Sequence, residues 1–490
     1  MAAFTHLSKS RFASGLQCHR RLWWEVHEPE APELVPDAAA QAVLDQGTRV
    51  GELARDYVPG GYLIDLPYNA FEERLAATRD LLARGVPAIY EGSFRADGAY
   101  AAADILERHG ASYRLIEVKS TTKVKEEHLP DVAFQLHLLR RCGVPVDGAE
   151  LMHLNRECAY PHLEDLFVRE DVTGEAEAWQ AELPAEIAAQ TAMLAGGLPD
   201  VAPGPQCTRP YACPFYGRCS RVLPPHHVST LYRVRSFGIE WIARGLETID
   251  RLPSHELSPP QARQQRAVHT GRPVVEPGLG RALQAFREPL AFLDFETVAP
   301  AIPMWDGCHP YDAVPAQFSL HYLAADGSVS HRQFLADGPA DPRPEVARRL
   351  VAACGVPGMI VAYNASFERR VIEALAESVP EQSAKLLAIA ARLADLLPLV
   401  RDHVYHPGFE GSFSLKRVLP ALVPEHGYDK LEVAEGSAAS ALLERLLFRS
   451  GAMAPEEEAA ARAALLRYCA LDTMSLIRLL QRLRHLAAAA

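Results

Sequence analysis

The chain reads as an α/β protein built from two domains. Three observations carry that reading. At 490 residues it is longer than one hydrophobic core usually serves. Strand-like alternation and helix-like periodicity interleave in both halves instead of separating into an all-helical and an all-strand part. A Pro- and Ala-rich stretch, "LPDVAPGP", leads into three cysteines and a mostly polar connector before a new run of strands begins near residue 286. The expected boundaries are 1–222 for a first domain, 223–285 for a helical linker and 286–490 for a second domain.

Composition narrows the class. Apolar residues make up 48% of the chain, enough for packed cores. The opening "MAAFTHLSKSRF" turns polar and basic at once, and no stretch approaches the length needed to cross a bilayer, so a soluble cytoplasmic protein without a membrane partner is expected. A net charge of −12 excludes a global pull toward nucleic acid. Any such surface is local, at Lys9, Arg11, Arg20 and Arg21 or at Lys119, Lys123 and Lys125, or is charged in part by bound metal. Nine cysteines, an odd number scattered over a long chain, argue against a disulfide framework and leave thiolate ligation open.

In the first domain, Tyr100, Ala102 and Asp104 alternate along a strand-like run, "ERHGAS" supplies a turn, and "YRLIEVKS" returns as a second strand. Glu117 and Lys119 stand two apart on it and share a face. Alone, E-x-K also describes a surface ion pair on an edge strand. A hairpin that brings Asp104 to Glu117, however, sets two carboxylates together, and they repel unless a cation lies between them. A hard divalent ion, Mg²⁺ or Mn²⁺, fits oxygen ligands of this kind, and a lysine beside it can stabilise developing charge. The following "HLPDVAFQLHLL" reads as a helix carrying Gln135.

The order Asp104, Glu117-x-Lys119, Gln135 resembles the PD-(D/E)xK nucleases, with their restriction-endonuclease-like core, and within them the RecB-like subgroup. The resemblance implies catalytic roles for all four residues, with Asp104 and Glu117 as metal ligands. The subgroup often carries a Tyr four residues after the Gln, where this chain has Leu139. It also often has a ligand on an early helix, and "GTRVGELARDY" offers Glu52 there.

Cys207, Cys213 and Cys219 follow a C-x5-C-x5-C spacing, and Cys18 stands far upstream in "SKSRFASGLQCHRRLWW". From the residues alone the three are a zinc set lacking its fourth member, for which Cys18 is the candidate, or unrelated thiols. One cysteine before the nuclease core and three after it resembles the iron–sulfur RecB-like nucleases, such as CRISPR-associated exonucleases and AddB-type helicase–nucleases. That resemblance implies a [4Fe–4S] cluster on Cys18, Cys207, Cys213 and Cys219, although the first pair of the three is usually closer together in those families. Cys142, Cys158, Cys308, Cys354 and Cys469 sit among apolar neighbours and are expected in cores.

The linker contains "FGIEWIARGLETIDRL", which reads as two short helices with glycines at the bends. It weakly resembles a helix–hairpin–helix unit that grips DNA backbone; a packing pair of helices would look the same. The second domain then runs strand "LAFLDFET", strand "AQFSLHYLA", helix "PEVARRLVAAC", strand "GMIVAYN" and helix "FERRVIEALAESV", and closes on a long amphipathic helical region. Asp294 and Glu296 share one face of the first strand, Asn364 and Glu368 lie where a strand meets a helix, and Tyr468 and Asp472 share one helix face at i and i+4. Asp395, in "RLADLLPLV", reads as structural or as lying near the metals, the structural reading being preferred.

The order D-x-E, N-x-x-F-E, Y-x3-D resembles the DnaQ-like 3′–5′ exonucleases of the ribonuclease H-like fold, in the tyrosine-bearing DEDDy branch. "GSFSLKRVLPAL" resembles the Ser-Leu-Lys segment of that family, and Glu368 departs from it, standing where Asp is usual. The resemblance implies that Asp294, Glu296, Glu368 and Asp472 hold two divalent ions and that Tyr468 orients the attacking water. Together the two likenesses resemble bacterial nucleases that join an iron–sulfur RecB-like domain to a DnaQ-like one. The expectation is a metal-dependent nuclease with two sites, acting on DNA with single-stranded ends in repair, recombination or defence. The alternatives are an RNA-processing exonuclease or a nucleic-acid-binding iron–sulfur protein with one inactive site.

Overall fold

The computed structural model describes residues 6–425, 436–448 and 453–489. It is a mixed α/β structure. By packing, the chain divides into two compact units, one of residues 1–221 with 300–312 and one of residues 222–299 with 313–490. No helix among the described residues is long and apolar enough to cross a membrane.

The first unit is organised on a seven-stranded sheet, formed by β1 (Leu7–Ser8), β2 (Gly61–Leu63), β3 (Ala88–Ala96), β4 (Ala99–His109), β5 (Ser112–Lys119), β6 (Val146–Leu154) and β7 (Phe167–Asp171). The spatial order is β2-β3-β4-β5-β6-β7, with β1 beside β4. β4 and β5 form the hairpin expected from "ERHGAS", and Gly110 takes the left-handed conformation its turn requires. β5 and β6 are parallel, and the crossover between them is the helix Leu129–Arg141. That helix buries every residue from Val132 to Leu139, and Phe134 stacks on Phe12 of the N-terminal helix Lys9–Gln17 with ring centroids 4.7 Å apart. Segment 300–312 packs in this unit, where Tyr160 N–H donates to the Cys308 carbonyl and the Tyr311 hydroxyl to the Ser120 carbonyl.

The second unit begins earlier than the boundary expected at 286. Residues 223–285 do not form a free linker, because Val228, Leu231, Ile249 and Leu252 make a small core of their own, and Arg263 donates to the carbonyls of Arg401 and Asp402. Of the two short helices expected in "FGIEWIARGLETIDRL", the first is the five-residue helix Ile239–Ala243 and the second is only a three-residue 3-10 turn, Ile249–Arg251. Gly238 and Gly245, both at positive φ, break the periodicity on either side. A short pair, β8 (Val274–Val275) with β14 (Val404–Tyr405), lies apart from the main sheet.

The main sheet consists of β9 (Leu290–Val298), β10 (Val314–Leu323), β11 (Val329–Leu335), β12 (Met359–Ala362) and β13 (Leu393–Asp395) in the order β11-β10-β9-β12-β13. β9, β10 and β11 pair antiparallel, and β12 and β13 continue in parallel. The C-terminal region is a single 35-residue helix, Pro455–Ala489, whose first turn holds Glu456, Glu457 and Glu458, the charge that suits a helix N-terminus.

Candidate active sites

The first constellation assembles at the point where β4 and β5 diverge. Ile105 pairs with Ile116, which sets Asp104 and Glu117 one step further along. The Asp104 carboxylate accepts the Val118 N–H at 2.8 Å. Glu117 is 1% exposed, and its oxygens accept from Gln135 Nε2 at 2.7 Å, Lys9 Nζ at 2.8 and 3.0 Å, and Lys119 Nζ at 2.9 Å. Lys119 also meets Asp131 at 2.7 Å. Burial by itself pushes Glu117 upward, but the Lys119 and Lys9 charges outweigh it and hold the carboxyl below the usual range. Asp104 moves the other way, to about 7, because burial and the neighbouring Glu117 charge disfavour its ionised form.

One further acid bears on this site. Glu91, at positive φ on β3, lies across from Asp104 and adds to the negative charge acting on it. Arg55 at 3.4 Å and Arg74 at 3.8 Å hold it. Glu52, the early-helix acid expected here, is exposed. Neither Glu91 nor Asp131 stands in a readable motif; the signal for Glu91 is the strand register, which needs the pairing of β3 with β4. Gln135 Oε1 is buried without a hydrogen-bond partner, so one face of the amide is open to a ligand while the other braces Glu117.

The cysteine set lies at the kink between two N-terminal helices. Cys18 ends Lys9–Gln17 and opens His19–His27. Cys18, Cys207, Cys213 and Cys219 line one small cavity with Arg20, Arg21 and Trp24. Gln17 donates to the Gln206 and Tyr211 carbonyls. Arg218 pairs with Glu28 and Glu33 and lies over Trp24, so the upstream cysteine is clasped to the downstream three. No three of the four thiols come within 4.8 Å of one another. Burial pushes the Cys213 thiol up to about 11. All nine cysteines are free, and Cys142, expected in a core, is exposed with its thiol 3.5 Å from the Arg95 carbonyl.

The second constellation is gathered by β9, the helix Ser366–Ser378 and the C-terminal helix. Asp294 and Glu296 project from β9, Glu368 sits in the first turn of its helix, and Tyr468 and Asp472 face them from Pro455–Ala489. Glu296, Glu368, Tyr468 and Asp472 are all buried. Burial and the charges of Asp472, Glu296 and Glu368 push Asp294 well above the ordinary carboxylate range. Burial and Asp472 raise Glu296 to about 8, and burial raises Glu368 to about 7. The Tyr468 hydroxyl bonds to Asp472, and the Lys416 ammonium lies 5.6 Å from the Tyr468 ring centroid. Glu368 Oε2 is buried and unpartnered. Mutually repelling buried acids with an orphaned oxygen are what a bound cation would satisfy.

Cys469, expected as a core residue, lies inside this group. Its Sγ is 3.6 Å from Asp294 Oδ2, and Asp294, Glu296 and Cys469 form a buried set that could hold a metal ion. Its neighbour relation to Asp294 depends on the docking of the C-terminal helix and has no sequence signal. Asp395 serves the local backbone and also lies near the acids, where its charge adds to the upward push on Glu368. Its carboxylate accepts the Asn364 and Leu397 N–H groups at 2.8 and 2.9 Å, which fixes Asn364 at φ 67° just before Glu368.

Residues 291–414 match the family described as "Domain of unknown function (DUF2779)". The match takes in Asp294, Glu296 and Glu368 and ends before Tyr468 and Asp472. No curated protein matches the chain.

Proposed function

We propose that this protein is a metal-dependent nuclease with two active sites that hydrolyses phosphodiester bonds of DNA. The single observation that carries the reading is the cluster of half-buried Asp294 with buried Glu296, Glu368 and Asp472, with Tyr468 bonded to one of its members. Four acids drawn together out of water repel when ionised, which divalent cations would offset, and four carboxylates are the ligand set of a paired-ion phosphodiesterase. Bound Mg²⁺ or Mn²⁺ would supply an activated water and charge for the leaving oxygen. The chain's own contribution is orientation. Asp395 sets the turn that presents Glu368, Lys416 offers positive charge toward an incoming phosphate, and the Tyr468 hydroxyl, bonded to Asp472, would orient a water beside that ligand.

The first site supports a PD-(D/E)xK reading on a smaller ligand set. Asp104 and Glu117 would hold the ion, Lys119 would stabilise charge on the phosphate, and Gln135 would keep Glu117 turned toward the metal. Four thiols gathered on one small cavity supply the thiolate ligand set of a [4Fe–4S] cluster, with zinc the alternative. Nine free thiols suit the reducing cytoplasm.

The test is to incubate purified protein with end-labelled single- and double-stranded DNA and RNA in Mn²⁺, Mg²⁺ or EDTA. Shortening of DNA from its 3′ end that requires the divalent ion is expected. Cleavage of RNA alone would move the protein to RNA processing, and no cleavage of any strand with either ion would overturn the nuclease reading.

A further inference from the structure

The first site contains a cation that belongs to the chain itself. β1 runs parallel to β4 with Ser8 opposite Tyr100. Ser8 caps the helix that follows by accepting the Arg11 N–H. Lys9, the first residue of that helix, is thereby fed into the sheet beside Asp104. Its Nζ contacts both oxygens of Glu117, at 2.8 and 3.0 Å, and stands 3.9 Å from Asp104 Oδ1. It therefore bridges the two strand carboxylates at the position a divalent ion needs. Lys119 is shared with another acid: its Nζ lies 2.9 Å from Glu117 Oε1 and 2.7 Å from Asp131 Oδ2.

We propose that Lys9 is a built-in counter-cation of the first site, which holds Asp104 and Glu117 together in the metal-free protein and must withdraw before a divalent ion can bind them. This rests on the reading of the first site as a metal site. Both claimants need the same Glu117 oxygens, and an ammonium beside a divalent ion in a half-buried pocket is strongly repelled. Lys9 thus sets the metal affinity of the site. Its position depends on β1 and on the helix that ends at Cys18.

The experiment is a Mn²⁺ titration followed by electron paramagnetic resonance. It uses the full chain with the second site silenced by Asp294→Asn and Asp472→Asn, changes that remove repelling charge. In that background Lys9→Met should bind Mn²⁺ tighter by about tenfold or more, and Lys9→Arg, which keeps the charge, should bind as the background does. Without metal Lys9→Met should melt lower than the background, and Mn²⁺ should restore it, a rescue that a lysine serving only as a structural brace would not show. Unchanged or weaker Mn²⁺ binding in a folded Lys9→Met overturns the proposal. If Lys9→Met does not fold, Lys9→Gln, which keeps a donor for Glu117 without the charge, is judged by the same criterion. Asp104→Asn separates the two possible failures. If it leaves Mn²⁺ binding unchanged, the first site holds no metal and both readings fall; if it weakens binding while Lys9→Met does not tighten it, only the role of Lys9 falls.

Discussion

Tyr468 is 3% exposed, and burial followed by the charges of Asp472, Glu296 and Asp294 holds its proton on far above the ordinary phenol range. The hydroxyl therefore keeps its proton at any working pH, and in the proposed mechanism it would orient water without taking a proton from it. Tyr468→Phe should keep the fold and the Mn²⁺ affinity while slowing nucleotide release by about 10²–10⁴-fold, the scale of a positioned acid–base group. Asp472→Ala should weaken Mn²⁺ binding itself. Nucleotide release measured against Mn²⁺ concentration distinguishes them, and full rescue of Tyr468→Phe by high Mn²⁺ would make the tyrosine a support of the metal ligands. The acids make a second prediction. Glu296 at about 8 and Glu368 at about 7 lie above the ordinary value, so the metal-free folded state binds protons more tightly than the unfolded chain does. Their contribution is complete below the unfolded value near 4 and is lost as pH rises through 7 to 8. Calorimetry in EDTA should show the melting temperature falling between about pH 6 and 8, with Mn²⁺ restoring more at the upper end. A flat profile would mean that the acids are not clustered.

The strand next to β9 holds the C-terminal helix in place. Gln317 and Ser319 pair with Glu296 and Asp294 across the β9–β10 ladder. Gln317 Nε2 donates to the Leu465 carbonyl at 2.8 Å, and Ser319 and His321 each meet the Thr473 hydroxyl at 2.7 Å. His321, lowered to about 4 by burial and then by its neighbour His331, stays neutral and can share that hydrogen bond. Thr473→Val would leave Ser319 and His321 short of a buried partner, at a cost of about 1–3 kcal/mol, and would loosen Asp472 one residue away. Thermal melting together with Mn²⁺ titration should show both losses; a loss of stability with unchanged Mn²⁺ affinity would separate the network from the metal ligands. These contacts mark the limit of what the sequence discloses. Asp294 with Glu296, and Tyr468 with Asp472, were legible because strand and helix periods put each pair on one face. The β4–β5 hairpin was legible from "ERHGAS", and Gln135 from its helix. Lys9, Glu91, Cys469 and Thr473 were not, because each acquires its role from pairing or packing between segments far apart in sequence. At 237–252 the glycines expected at the bends are there, Gly238 and Gly245 at positive φ, but the two short helices shrink to Ile239–Ala243 and a single 3-10 turn, Ile249–Arg251, that packs on a small core.

At the scale of the whole molecule, each constellation is complete within its own compact unit: Asp104, Glu117, Lys119, Gln135 and the four cysteines in one, Asp294, Glu296, Glu368, Tyr468 and Asp472 in the other. The cysteines tie the start of the first unit to its end, through Gln17 and Arg218 as well as through any group the thiols hold. Protein purified without oxygen should be brown, and Cys213→Ser should bleach it and lower the first of two calorimetric transitions while leaving the second in place. A colourless protein with stoichiometric zinc would refute the cluster. The same completeness predicts that the two activities separate by mutation. Lys119→Ala or Asp104→Ala removes a charge from one set and touches none of the other; Asp294→Ala or Asp472→Ala does the reverse. On a panel of single- and double-stranded substrates, each pair of variants should abolish one pattern of cleavage and spare the other, with losses above about 10²-fold for the affected one. If Asp294→Ala removed all cleavage on every substrate, the Asp104–Glu117–Lys119 set would be idle under those conditions, and its tight network of two lysines on one buried glutamate would be a brace for the sheet.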